Sequence, residues 1–214
     1  MMRNLLVSAA LLAAFAVTST GLVVFTHTAT AERIAAAERQ VLVQKLHALV
    51  PPTRHDNDLL ADRIEVRDPE LLGTAAPVSV YRARVGGKPA ALILTVVAPD
   101  GYSGEIQLLV AVNADGSVAG VRVTAHRETP GLGDRIEVER SDWITRFDGR
   151  SLTDPAGDGW AVKKDGGVFD QFTGATITPR AVVNAVRNAL RFVERHHTEL
   201  FATAPPRALE ARHE

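Results

Sequence analysis

From Leu5 to Thr26 the chain runs about 22 residues, LLVSAALLAAFAVTSTGLVVFT, without a charge; as a helix this spans roughly 33 Å, enough to cross a bilayer. Arg3 precedes the run, and the next charges are Glu32 and Arg33. The positive-inside rule then leaves residues 1–4 in the cytoplasm and sends the rest of the chain outside the inner membrane. Ala29-Thr30-Ala31 resembles the small-x-small site of a cleaved signal peptide, but the apolar run is longer than a signal peptide's core. We read residues 5–26 as a retained single-pass anchor.

Beyond the anchor, Ala31 to Val50 has helical composition, with Ile34, Val41, Leu42, Leu46 and Leu49 as an apolar stripe. The spacing predicts a connecting helix over residues 27–50, ended by Pro51-Pro52. A polar stretch with short apolar punctuation follows, read as loop with brief strand or helix pieces. The period then changes to two. Val78–Val85 and Ala90–Ala98 flank GGKP, and Ile106–Val112 and Val118–Ala125 flank NADGS, both carrying the glycines that hairpin turns require. Ile106, Leu108, Val110 and Val112 form one row, and Val121, Val123 and Ala125 its partner. These pairs predict a central antiparallel sheet.

Glycine-rich loops come next, and then a last helix in which Val182, Val186, Ala189 and Val193 repeat at helical spacing. Arg180, Asn184, Arg187, Arg191 and Arg195 take the opposite, solvated face. The fold class is α+β, an N-terminal transmembrane helix followed by one domain over residues 51–201 with flanking helices. Residues 202–214 read as a flexible tail.

Composition removes whole classes of chemistry. The 24 basic and 25 acidic residues nearly cancel, so the positive excess of a nucleic-acid binder is missing. With no cysteine, disulfides, thiolate iron–sulfur clusters, thioether haem and a cysteine nucleophile are excluded. The histidines show no metal-ligand spacing, and His196–His197 sits where a helix C-terminus favours positive charge. We expect no metal and no nucleic-acid partner.

The stretch DQFTGATITPRAVVNAV, Asp170 to Val186, packs small hydroxyl residues into the mouth of the last helix. Thr178 before Pro179 reads as an N-cap followed by the first helical residue. Thr176 then lies just before the cap, where the amides of Arg180 and Ala181 and the helix dipole favour an anion. Such a turn suits a phosphate or is an ordinary helix start; these residues alone leave both open. Nucleophilic catalysis by Thr173 or Thr176 would need an activating base, and none is evident.

The segment Asp170-Gln171-Phe172-Thr173-Gly174-Ala175-Thr176 resembles the D-x-x-[ST]-G-A-T acceptor motif of FMN-binding domains, in which a flavin transferase joins FMN from FAD to the last threonine through a phosphoester. GYSGEI at 101–106, ETPGLGD at 128–134, Trp143 and WAVKKDGG at 160–167 are similar to the other marks of that domain, in the same order. Together with the anchor, the chain resembles the G subunit of the Rnf (Rsx) ion-translocating electron transport complex. The C subunit of the sodium-translocating NADH:quinone oxidoreductase shares the anchor, domain and linkage, but this chain is shorter and TGATITPRAVV is closer to the Rnf form. A non-redox extracytoplasmic binding or sensor domain is a further alternative.

The resemblance implies an electron carrier between ferredoxin-like donors and NAD(H), active only within a complex of other Rnf subunits, with FMN held covalently on Thr176. It further implies cofactor contacts from Thr173, Gly174, Ala175, Ile177 and Thr178 around the attachment point. Glu128, Thr129, Gly131, Leu132 and Gly133 would line the ring system, with Glu128 or Thr129 offering it a hydrogen bond, and Tyr102 and Gly104 would approach from their turn. Trp143 would stack on the flavin or fill the core, and Lys163 and Lys164 would offset phosphate charge or sit in solvent. The redox chemistry belongs to the cofactor, and the protein supplies position and electrostatics.

Overall fold

The structure, a computed structural model, describes residues 2–202 and 209–210. The chain divides into two units, Met1–Gln44 and Lys45–Glu214. Helix α1 runs unbroken over Met2–Leu49, because nothing between the apolar run and the alanine-rich AERIAAAERQ breaks a helix. Its threonines turn their hydroxyls back on the helix, Thr18 Oγ1 donating to the Ala14 carbonyl and Thr26 Oγ1 to the Leu22 carbonyl, each at 2.8 Å. Those polar groups are thereby satisfied without water. Among the described residues α1 is the one helix long and apolar enough to cross a membrane, and Leu11, Phe15, Val23 and Phe25 stand exposed on it. The apolar stripe expected from Ile34 onward is corrected here. Ile34 and Val41 are exposed, and burial starts at Leu46, Leu49 and Val50, which belong to the second unit.

The second unit is built on a sheet. Strands β1 (Arg63–Arg67), β2 (Val78–Val85), β3 (Lys88–Ala98), β4 (Ile106–Asn113) and β5 (Val118–Ala125) lie in the order β5-β4-β3-β2-β1, each antiparallel to its neighbour. A two-residue strand β6 (Leu209–Glu210) runs parallel to β1 at Val66 and Arg67; the rest of the expected tail beyond Ala202 lies outside the described residues. Strand β3 starts at Lys88 rather than Ala90, since Gly86 and Gly87, at φ +56° and +74°, close a two-residue turn in which both positions need positive φ. Between β4 and β5, Asp115 accepts from the Ser117 hydroxyl at 2.6 Å and from its N–H at 2.9 Å. Those bonds hold the Asp115 carboxyl below the usual aspartate range.

Register shows how both faces are covered. Val80, Leu94, Val110 and Val121 form one cross-strand row, buried in the main core with helix α3 (Ile177–Arg195). Tyr81, Ile93, Ala111 and Gly120 form the row on the other face. A side chain on Gly120 would meet Leu49 at 3.0 Å, so the last turn of α1 covers that face. Ala125 departs from its expected row. A register shift at Gln107/Leu108 pairs it with Gln107, and it is exposed.

Between β5 and α3 runs a long connection of short 3-10 turns, over Gly133–Ile136, Asp142–Phe147, Gly157–Gly159 and Lys163–Asp165. So long a connection stays ordered by carrying a core of its own. Phe147 stacks on Phe169 at 4.6 Å between ring centres, Trp160 lies 5.3 Å from Phe169, and Trp143 meets Phe147 and Phe172 edge-on at 5.4 and 5.2 Å. Helix α3 then lays Val182, Val186, Ala189 and Val193 on the sheet, with Asn184, Arg191 and Arg195 exposed. A short helix α2 (Pro69–Leu72), capped by the Asp68 carboxylate on the Leu71 N–H at 3.0 Å, and α4 (His197–Leu200) complete the unit.

The start and end of the domain meet at two buried guanidinium groups. Arg82 and Arg84 both donate to the Asp62 carboxylate and to the Ala202 carbonyl, at 3.2 and 2.8 Å for the carbonyl. Removing the one carboxylate that serves two buried arginines leaves their charge uncompensated. Asp62→Ala is therefore expected to destabilise the domain by about 3 kcal/mol, measured as a lower midpoint in denaturant titration of the full chain in detergent, followed by circular dichroism. Asp62→Asn, which retains acceptor capacity, should fall between that variant and the parent.

Candidate cofactor-attachment site

Three segments far apart in sequence meet at the N-terminal end of α3. The first is the turn after β3, Gly101–Glu105, with Gly104 at φ +124°. The second is Glu128–Gly133, where Thr129-Pro130-Gly131-Leu132 forms a turn closed by the Leu132 N–H on the Thr129 carbonyl at 3.1 Å. Gly131 sits at φ +79° in its third position, as a type II turn requires, and proline fits the second. The third is the acceptor-like stretch itself. Phe172-Thr173-Gly174-Ala175 repeats the geometry, with Ala175 N–H on the Phe172 carbonyl at 3.1 Å and Gly174 at φ +84°. The two turns touch, since a side chain on Gly174 would stand 3.5 Å from Leu132 Cδ2.

The helix begins two residues earlier than the sequence predicts. Ile177 is its first residue, Thr176 holds the cap position, and Thr178 lies inside the first turn. Thr178 is not the N-cap, because its hydroxyl is fully buried and donates to Glu128 Oε2 at 2.5 Å, a partner fifty residues away that local capping rules ignore. Pro179 still costs no bond, being within the first turn. Arg180 N–H returns to the Thr176 carbonyl at 3.4 Å, so the amides free to face an anion are those of Ile177 and Thr178 instead of Arg180 and Ala181. Thr176 has helical dihedrals, φ −82° and ψ −29°, and its side chain makes no capping bond. An N-cap hydroxyl engages the helix from an extended backbone; in the helical conformation that of Thr176 is left half-exposed and uncommitted.

Each remaining candidate has a definite place. Outside α1 the exposed large apolar side chains among the described residues are Val85, Tyr102, Leu132, Val168 and Ile177; Leu132 and Ile177 flank the acceptor turn, and Tyr102 rides on the turn that Glu128 holds. Thr129, Gly131 and Thr173 are exposed, Ala175 is half-buried and Gly133 is buried. Glu128 points inward: Ser103 N–H donates to its Oε1 at 3.0 Å and Thr178 to its Oε2, which replaces the expected hydrogen bond to a flavin ring. Trp143, 5% exposed, fills the core beneath the motif and donates from Nε1 to the Asp170 carbonyl at 2.7 Å. Lys163 bridges to the Asp170 carboxylate at 2.6 Å.

Sequence reasoning missed two further groups. Arg135 lies 4.9 Å over the Phe172 ring and has no ion pair among the described residues. Phe172 pairs with Ala175 across the acceptor turn, which places this guanidinium beside it. His126 accepts from the Glu128 N–H at 3.0 Å through Nδ1 and faces Glu137 at 2.9 Å through Nε2. Arg135 carries no local signal, because it acts on a ring 37 positions away in sequence, whereas His126 works through near neighbours, Glu128 and Glu137.

FMN has an anionic phosphate and a flat, largely apolar ring system. The free amides at the start of a 19-residue helix suit the first, and the exposed Tyr102, Leu132 and Ile177 suit the second. The open space at Gly104 and Gly131, where an added side chain would meet nothing within 4 Å, lets a ligand approach the backbone. The residues fit the group.

Arg180 grips Asp165 with two bonds, Nε to Oδ2 at 2.6 Å and Nη2 to Oδ1 at 2.9 Å, so its charge is already matched at this helix start. The Arg180 hydrogen bond, foremost, holds the Asp165 carboxyl below the usual aspartate range. A depressed value in the folded state means the bridge contributes above the ordinary aspartate value and is lost as pH falls through the depressed one. Carbon-detected titration of Asp165 by NMR should show that low midpoint, and Arg180→Gln should return it to the ordinary range.

Residues 101–191 match the FMN-binding domain family, a span that holds all three segments of the site, and residues 1–49 match the RnfG N-terminal region. The chain is 53% identical over 200 residues to the G subunit of the ion-translocating oxidoreductase complex of Pseudomonas aeruginosa strain UCBPP-PA14, covering 94% of each chain. It is 50% identical over 190 residues to the protein of that name from Vibrio cholerae serotype O1 strain O395, covering 89% of this chain and 90% of the relative. The Shewanella oneidensis protein of the same name is 46% identical over 204 residues, covering 95% of each. With likeness of this extent at both ends of the chain, in the apolar N-terminal region and in the domain that builds the site, the protein belongs to the family of G subunits of the ion-translocating oxidoreductase complex.

Proposed function

We propose that this chain is an electron-carrying subunit of a membrane-bound, ion-translocating oxidoreductase complex and holds FMN through a phosphoester on Thr176. One observation carries the reading: Thr176, half-exposed at the N-terminal end of α3, has a hydroxyl with no hydrogen-bond partner among the described residues. The hydroxyls of its neighbours differ, that of Thr178 being buried against Glu128 and that of Thr173 standing out on the turn. In the loading reaction a flavin transferase takes FAD; the Thr176 Oγ–phosphorus bond forms as the pyrophosphate bond breaks, Thr176 loses its proton and AMP departs. The helix-start amides of Ile177 and Thr178 would hold the phosphate. Tyr102, Leu132 and Ile177 would give the ring an apolar surface, and the exposed Thr129 would offer it a hydrogen bond. When bound, the flavin supplies the electron-accepting chemistry.

The tether substitutes for affinity, because a covalent link keeps the local concentration high where no dependable pool of free cofactor exists. The anchor at residues 5–26 sets the domain on the periplasmic side of the inner membrane, with residues 1–4 in the cytoplasm, and electron transfer proceeds only with the other subunits assembled. The reading as the C subunit of the sodium-translocating quinone reductase has less support, since residues 1–49 match the RnfG N-terminal region.

Co-expression with an active flavin transferase should yield a band that fluoresces on a denaturing gel, and peptide mass spectrometry should find FMN less one water on Thr176. Thr176→Val should abolish the band's fluorescence and leave the circular dichroism of the chain unchanged. Flavin on Thr173 would overturn Thr176 as the attachment point, and a non-fluorescent parent would favour a non-redox binding domain. Reporter fusions after Glu32 should be active only in their periplasmic form, and N-terminal sequencing should find the anchor uncleaved.

A further inference from the structure

Glu128 is 5% exposed and has no cationic partner within bridging distance among the described residues. Hydrogen-bond donors satisfy it: the Ser103 N–H at Oε1 and the Thr178 hydroxyl at Oε2, while its own N–H is taken by His126. Gly133 leaves room for this group, since a side chain there would come within 2.8 Å of Oε2 and 2.9 Å of the Glu128 β-carbon; one on Gly101 would first strike the Gly104 carbonyl oxygen and would then stand 3.0 Å from Oε1. Both glycines sit in the loops that the carboxylate joins, and Thr178 is two residues beyond Thr176.

We propose that the Glu128 carboxylate is a positioning residue: a buried lock that ties the Gly101–Glu105 turn, the Glu128–Gly133 loop and the first turn of α3 into one piece and thereby presents the Thr176 hydroxyl for loading. The proposal rests on Thr176 being the attachment point. Breaking the Thr178 bond leaves a buried carboxylate oxygen unpaired, and the strain relaxes by shifting the helix start away from Leu132 and the loop. A carboxylate beneath the site would also disfavour added negative charge on a ring bound above it.

The test uses the full-length chain co-expressed with a flavin transferase, with covalent flavin followed over time by denaturing-gel fluorescence. Thr178→Val should load roughly tenfold more slowly, the scale set by loss of one hydrogen bond to a buried charged group, and Thr178→Ser, which restores the hydroxyl, should recover the parent rate. Gly133→Ala, which displaces the carboxylate without removing either bonding group, should also load slowly. In Glu128→Gln molecules that do load, the flavin midpoint potential should rise, an effect a merely structural contact would not produce. Parent-like loading of Thr178→Val, or no recovery in Thr178→Ser with native circular dichroism, overturns the lock. Parent protein without flavin on Thr176 overturns the attachment reading instead.

Discussion

A sheet whose central strands are apolar on both sides must be covered on both sides, and this chain uses its two ends to do it. Helix α3, near the C-terminus, packs on the row of Val80, Leu94, Val110 and Val121. The final turn of α1, with the buried Leu46 and Leu49, lies on the face of Tyr81, Ile93, Ala111 and Gly120, Leu49 resting against Gly120. The domain therefore starts within α1, at Lys45. With α3 fixed by the sheet, its N-terminal end becomes a rigid place on which to hold a cofactor.

The site is assembled from loops, but loops held at few, strong points. Two type II turns, each with a glycine at positive φ, meet at Leu132 and Gly174. Beneath them lie one buried carboxylate and one aromatic cluster. Thr178 and Thr176, two residues apart, are thereby given opposite fates: one hydroxyl is spent on holding the helix start, and the other stays free at its edge.

Local patterns made much of the fold legible. Strands Val78–Val85 and Val118–Ala125 begin and end where alternation and glycine turns place them, because those signals lie within a few residues. Arg63–Arg67 was hidden in a polar stretch, since only Ile64 and Val66 of its five residues are buried. The misplaced helix cap has the same origin as the missed orientation of Glu128. Each is half of a single bond between residues 128 and 178, and no window of sequence contains both. The acceptor stretch was legible as a motif, whereas the state of each hydroxyl in it was decided by tertiary contacts.

The aromatic cluster beneath the acceptor turn contains both tryptophans of the chain, Trp143 and Trp160. Ultraviolet emission from this protein accordingly has a single address, immediately under the place where a flavin would sit. Flavins absorb where tryptophan emits, so a bound ring would drain that emission by resonance energy transfer. The isolated protein thus carries its own optical gauge of the distance between the acceptor turn and a ring that rests upon it, without any introduced label.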